Sequence, residues 1–130
     1  MKLEDKAKIA EAIEALEDLK QQRGGSVLPF HKKAANNVTL LKAFNAQYNF
    51  CNAPENTVLE RKYRELILMA LGCSAGVPLT VKTHANLAYK NGATIEEISE
   101  VLRLVFFYCG ASKLIPSVEI FDELEGSEEL

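Results

Sequence analysis

The sequence predicts an all-α fold, and three observations carry that prediction. Apolar residues recur at three- and four-residue spacing through most of the chain. Alternating apolar and polar runs of the strand type are almost absent. The periodic stretches are separated by short segments rich in glycine, proline and asparagine, which stop one helix and start the next. No internal repeat or low-complexity tract interrupts the pattern. The expectation is a bundle of about six helices in a single domain over residues 1–130, with its core at 57–125.

The elements follow in order. A helix over 3–22 has Ile9, Ile13 and Leu16 as its apolar stripe, and Gly24 and Gly25 close it after Arg23. Pro29 opens a short helical stretch to Ala35. Asn37 is an N-cap for a helix through Leu40, Leu41, Phe44 and Tyr48, and Asn52 to Asn56 reads as a loop. The next helix is expected over 57–70, with Leu59, Tyr63, Leu66, Ile67 and Ala70 on its buried side. The small residues from Gly72 to Gly76 break it. Pro78 suits the first turn of a helix to about 91, ended by Asn91 and Gly92. These two helices form an antiparallel hairpin at the centre of the fold.

Thr94 and Glu97 make a capping box for a helix over 95–109. That helix ends in Leu104-Val105-Phe106-Phe107-Tyr108, apolar on every side, so it is central or lies against a partner. A last helix is expected over 112–125, its start blurred by Pro116, with a frayed acidic tail at 125–130.

Composition narrows the function. Net charge is -3 and the basic residues are interleaved with acids, so there is no concentrated positive face for nucleic acid. No apolar run approaches the roughly 18–20 residues of a membrane span. The first twenty residues carry acids and no apolar signal core, which points to a cytoplasmic chain. In that setting Cys51, Cys73 and Cys109 read as reduced thiols. They form no CxxC, and with His31 and His84 as the only histidines they offer no zinc spacing. Neither a metal nor another cofactor is expected.

The stretch Arg64 to Gly110 resembles the core of the carboxymuconolactone decarboxylase family, within the alkylhydroperoxidase D-like superfamily. The matching residues are Arg64-Glu65-Leu66, His84 nineteen positions after Glu65, Ala85 and Leu87, Asn91-Gly92-Ala93, Glu96-Glu97-Ile98, Val101-Leu102 and the exit at Cys109-Gly110. The resemblance implies homo-oligomers, commonly trimers or hexamers. It also exposes a departure. The peroxidase branch places cysteines seven and four residues before the histidine, and here those slots hold Val77 and Thr80. A helix N-terminus and a nearby imidazole activate a thiol. Valine has no group to activate, and threonine forms no disulfide. That branch's peroxidase mechanism cannot operate at these positions.

Glu65 falls in an otherwise apolar helix face, where an unpaired carboxylate is costly to bury. One reading makes it the hydrogen-bond partner of His84, setting the imidazole tautomer for general-base work. The other makes the two a structural pair that only joins their helices. Thr80 lies one turn before His84 on the same face, either contacting the imidazole or a substrate oxygen, or serving as a helix-capping hydroxyl. The backbone N–H groups behind Val77 and Pro78 are a place for a carboxylate, consistent with the carboxylated lactones of the decarboxylase branch. Arg64 suits bidentate binding of a carboxylate, from substrate or from a glutamate at an interface.

Cys73 lies eight residues after Glu65, about 12 Å along a helix, close enough to line one cleft without contact. Cys73 and Cys109 are the candidate redox residues, against the alternative that buried free cysteines are small hydrophobes. Tyr89 and Tyr108 read as packing residues, and His31, beside Lys32 and Lys33, as solvent-facing. Three functions follow: acid–base chemistry on a small carboxylated, lactone-like substrate; thiol oxidoreduction by a non-CxxC cysteine; or a non-catalytic oligomeric relative.

Overall fold

The computed structural model describes residues 3–123, and the expected acidic tail at 125–130 lies outside them. All regular elements among the described residues are helical. The residues divide into two compact units, one ending at Thr57 and the other beginning at Val58.

The first unit contains α1 (Lys6–Gln22), α2 (Pro29–Ala34), α3 (Val38–Asn52) and a 3₁₀ turn (Pro54–Asn56). Asp5 starts α1 by accepting the Ala7 N–H at 2.9 Å, and Asn37 starts α3 by accepting the Leu40 N–H at 3.0 Å. The core is Ala12, Ala15 and Leu19 of α1 against Val38 and Leu41 of α3. The expected stripe is therefore corrected: Ile9 and Ile13 are exposed, and Leu16 is only partly buried. Alanines let the helices approach closely, while Ile9 and Ile13 flank that face and stay in solvent. His31 is also corrected. It is fully buried, in ring contact with Phe30 and Phe44, and its Nδ1 accepts the Leu28 N–H at 2.9 Å. The turn into α2 folds the imidazole inward while Lys32 and Lys33 stay exposed.

The second unit contains α4 (Arg61–Ala75), α5 (Pro78–Lys90) and α6 (Ile95–Cys109), followed by α7 (Ala111–Leu114), a 3₁₀ turn (Ile115–Ser117) and α8 (Ile120–Glu123). Its core joins Leu66, Met69 and Cys73 of α4, Val81, Ala85 and Ala88 of α5, and Ile98, Leu102 and Val105 of α6. α4 and α5 form the antiparallel hairpin: Gly72 meets Thr80 and Val81 near the turn, and Glu65 meets His84 farther from it. The capping box of α6 is present in both directions, Thr94 Oγ1 accepting from Glu97 N–H and Glu97 Oε2 accepting from Thr94 N–H.

Three expectations change in this unit. α4 runs through Gly72 and stops only at Gly76, whose φ of 71° supplies the left-handed residue. The Val77 N–H then bonds the Gly72 carbonyl at 3.0 Å, and the Gly76 N–H bonds that of Cys73 at 3.1 Å. Gly72 is retained inside the helix because a Cβ there would meet Thr80 Cγ2 at 2.8 Å. The buried side of α4 is Glu65, Leu66, Met69, Gly72 and Cys73, while Leu59, Tyr63 and Ile67 are exposed. Finally, Pro116 divides the last helix into α7, the 3₁₀ turn and α8, because proline lacks the N–H that a continuous helix needs.

Candidate functional site

Glu65 is 2% exposed on the inner face of α4, and two cationic or donor side chains converge on it. His84 Nδ1, from α5, lies 2.6 Å from Glu65 Oε2. Arg61, one turn earlier on α4, donates its Nε–H to Glu65 Oε1. Burial pushes the Glu65 carboxyl upward, but the His84 hydrogen bond and the Arg61 charge outweigh it and hold the carboxyl below its ordinary value. Glu65 is thus a carboxylate with both oxygens accepting. His84 Nδ1 must carry a proton to donate to it, which leaves Nε2 as the ring atom able to take up or release a proton. The His84 side chain is partly exposed, so a small molecule can reach the ring.

The other predicted residues fall around this pair unevenly. Thr80 is partly buried one turn before His84 on α5, its methyl beside Gly72. Val77 is exposed and caps α5 without a side-chain hydrogen bond. Its N–H is occupied by Gly72, Pro78 has none, and the Thr80 N–H bonds the Val77 carbonyl at 3.0 Å. The turn therefore occupies the Val77 and Thr80 donors at this helix start itself. Arg64 is partly buried on α4 next to Glu65. Tyr108 is 89% exposed, a correction to its expected packing role, whereas Tyr89 does pack on the core.

Cys73 is fully buried, and Cys109 is partly buried with its Sγ 3.6 Å from Ser74 Oγ. Cys51 is exposed in the first unit. Burial raises the Cys73 thiol above its ordinary value, opposed by a hydrogen bond with Ser117. Sequence reasoning passed over Arg61, although its i, i+4 spacing to Glu65 was a usable signal. It gave no signal for burial of His31.

A groove of about 280 Å³ lies in the first unit between α1 and α3. Glu11, Glu14 and Asp18 line it together with Lys42, whose Nζ lies 3.0 Å from Glu11 Oε2.

The carboxymuconolactone decarboxylase family model matches residues 39–123. The chain belongs to the carboxymuconolactone decarboxylase family. Within the matched family region lie Glu65, His84, Thr80, Cys73 and Cys109. An uncharacterised protein of Methanocaldococcus jannaschii is similar, 33% identical over 70 residues, which is 54% of this chain and 65% of that protein. The chain therefore spans just under two thirds of that relative's length. No solved structure matches.

Proposed function

We propose that this family member carries out acid–base chemistry on a small carboxylated, lactone-like substrate at Glu65 and His84. The observation that carries the reading is a buried, ionised Glu65 held against His84 Nδ1. His84 Nε2 takes up a proton from water; the substrate's C–CO₂⁻ bond breaks, its electron pair passing to the conjugated lactone carbonyl as carbon dioxide leaves, and His84 delivers that proton to the carbon left behind. Glu65 is a positioning residue: it keeps the proton on Nδ1 and stabilises the imidazolium as it forms. Arg61 keeps Glu65 ionised. Thr80 offers a hydroxyl to a substrate oxygen on the same face of α5, and Arg64 a guanidinium to the substrate carboxylate. The chemistry needs no metal or other cofactor.

The test is a panel of carboxylated γ-lactones, followed by carbon dioxide release and lactone absorbance, with wild type and His84→Asn. The proposal expects turnover by wild type and a loss of about 10²–10⁴-fold on removing the base. Turnover that survives His84→Asn, or no turnover of any member of the panel, refutes it.

The same proposal includes self-association, as a homotrimer or homohexamer. Phe107 and Tyr108 of α6 are 86% and 89% exposed, and Leu104 and Phe106 are exposed beside them. An aromatic side chain brings about 150–250 Å². These four therefore present several hundred Å², the upper end of what a monomer leaves in water. No described helix is long and apolar enough to cross a membrane. Three free thiols fit a reducing cytoplasm.

A further inference from the structure

The first unit holds a histidine that the chemistry at Glu65 and His84 does not use. His31 is fully buried, and it is the one buried residue of α2. With six residues α2 is far below the roughly 12–15 that an isolated helix needs to persist in water. Its side chains must therefore hold it in place. The His31 ring lies 5.0 Å from Phe44 of α3, and Phe30 meets the same ring edge-on at 5.4 Å. The start of α2 depends on the same imidazole, because the Leu28 N–H donates to His31 Nδ1 at 2.9 Å. These contacts fit only the neutral ring. A backbone N–H can only donate, so Nδ1 must stay unprotonated and the ring proton sits on Nε2. Nε2 is buried without a partner among the described residues. A second proton would set Nδ1–H against the Leu28 N–H and leave a full charge buried with no acceptor. The charged surroundings oppose it further. Arg23, at the end of α1, adds a like charge, its guanidinium lying 5.4 Å from the Tyr48 ring. α3 faces the imidazole with Phe44, and α2's own Lys32 and Lys33 are exposed. Among the described residues no carboxylate acts on the ring.

We propose that α2 is an acid-released latch: protonation of His31 breaks the Leu28 cap and expels the imidazolium, and α2 swings away from α3 and uncovers Phe44. The link from α1 supplies the hinge. Gly24 and Gly25 adopt φ of 77° and 106°, and a side chain added at either would meet nothing within 4 Å. The rest of the unit has its own hold, because Ala12, Ala15 and Leu19 of α1 pack with Val38 and Leu41 of α3. Burial first, and the Arg23 charge second, lower His31 in the closed state, whereas the released ring in water has the ordinary value of 6.5. Well above pH 6.5 both states carry a neutral ring and the latch is closed. Below it the released state alone takes up the proton. Release is then favoured by about tenfold per pH unit until pH reaches the lower closed-state value.

The experiment is amide hydrogen exchange of the full chain, read by NMR between about pH 7.5 and 5.5 and expressed as protection factors. Three amides report on the latch: Leu28, bonded to His31 Nδ1; His31, bonded to the Leu28 carbonyl; and Ala35, bonded to the His31 carbonyl. Their protection should fall about tenfold over that range, while interior amides of α1, α3 and α4 to α6 keep theirs. His31→Asn retains a side-chain oxygen for the Leu28 N–H and does not titrate, so its protection should be flat. A second measurement needs no variant: an apolar fluorescent dye should bind wild type more as pH falls below 6.5, with helical circular dichroism nearly unchanged. Flat protection of the three amides in wild type overturns the proposal, as does the same fall in His31→Asn. Dye binding that stays constant overturns it too. So does a loss shared equally by every helix, because that is unfolding of the chain and not release of α2.

Discussion

Replacing Glu65 with glutamine keeps the shape of the side chain and removes its charge, and the structure dictates the consequence. Arg61 only donates, so the amide oxygen must face it, which turns the amide NH₂ towards His84. His84 Nδ1 then has to accept, and the ring proton moves to Nε2, the atom that must stay free for proton transfer. Hydrogen bonds to charged groups contribute about 1.5–3 kcal/mol each. Two are altered, but Arg61 and His84 both reach water and recover hydration, which brings the expected loss of stability down to about 1–3 kcal/mol. Long-range imidazole proton–nitrogen NMR on the neutral ring should show the Nδ1–H tautomer in wild type and Nε2–H in Glu65→Gln. Urea denaturation should show the stability loss. It should also show its pH signature. Glu65 is depressed in the folded state, so its stabilisation is complete above the ordinary value of 4.5 and disappears as pH falls through the lower folded value. Glu65→Gln should lack that acid-dependent part. A wild-type ring carrying its proton on Nε2, or a variant with unchanged tautomer and stability, refutes the reasoning.

Three further outcomes follow from the fold. Burial first, and the Arg23 charge second, depress His31, so wild-type stability should fall as pH drops below 6.5 towards the folded-state value. His31→Phe should flatten that part of the denaturation profile, and an unchanged slope would exclude His31 as its source. Gly72→Ala gains about 1 kcal/mol of helix propensity but forces its Cβ against Thr80, for a net loss of about 1–2 kcal/mol in thermal or urea melts. Thr80→Ser removes the nearest methyl and should recover part of that loss. Phe107→Arg should dissociate the assembly in size-exclusion chromatography with light scattering, while circular dichroism and melting of the monomer stay helical and cooperative. An unchanged molecular mass would place the subunit contacts elsewhere.

Helix ends that carry side-chain caps were legible because capping is local chemistry, whereas α4 ran past its expected end to Ala75 and the last helix broke at Pro116. Asn37, the Thr94–Glu97 box and Gly92 act on donors and acceptors within a few residues of themselves. The pairing of Glu65 with His84 was also legible, from the cost of burying a lone carboxylate and from the family pattern around it. Which face of each helix is buried was not. Apolarity marked Ile9, Ile13, Leu59, Tyr63 and Ile67 for the interior, yet close helix approach selected Ala12, Ala15 and Gly72 instead. Small residues carry a weak hydrophobic signal but permit the tightest packing, and only the partner helix reveals that use. The same holds for chemistry that depends on neighbours. The turn after α4 occupies the Val77 and Thr80 N–H groups at the start of α5, and the α2 turn carries His31 inward past two exposed lysines. By itself the sequence determined the helical class and the helix ends that carry side-chain caps, because these depend on neighbours within a turn. Only the tertiary structure decided which faces are dry and how deeply each thiol is buried, because those depend on helices that meet from distant parts of the chain.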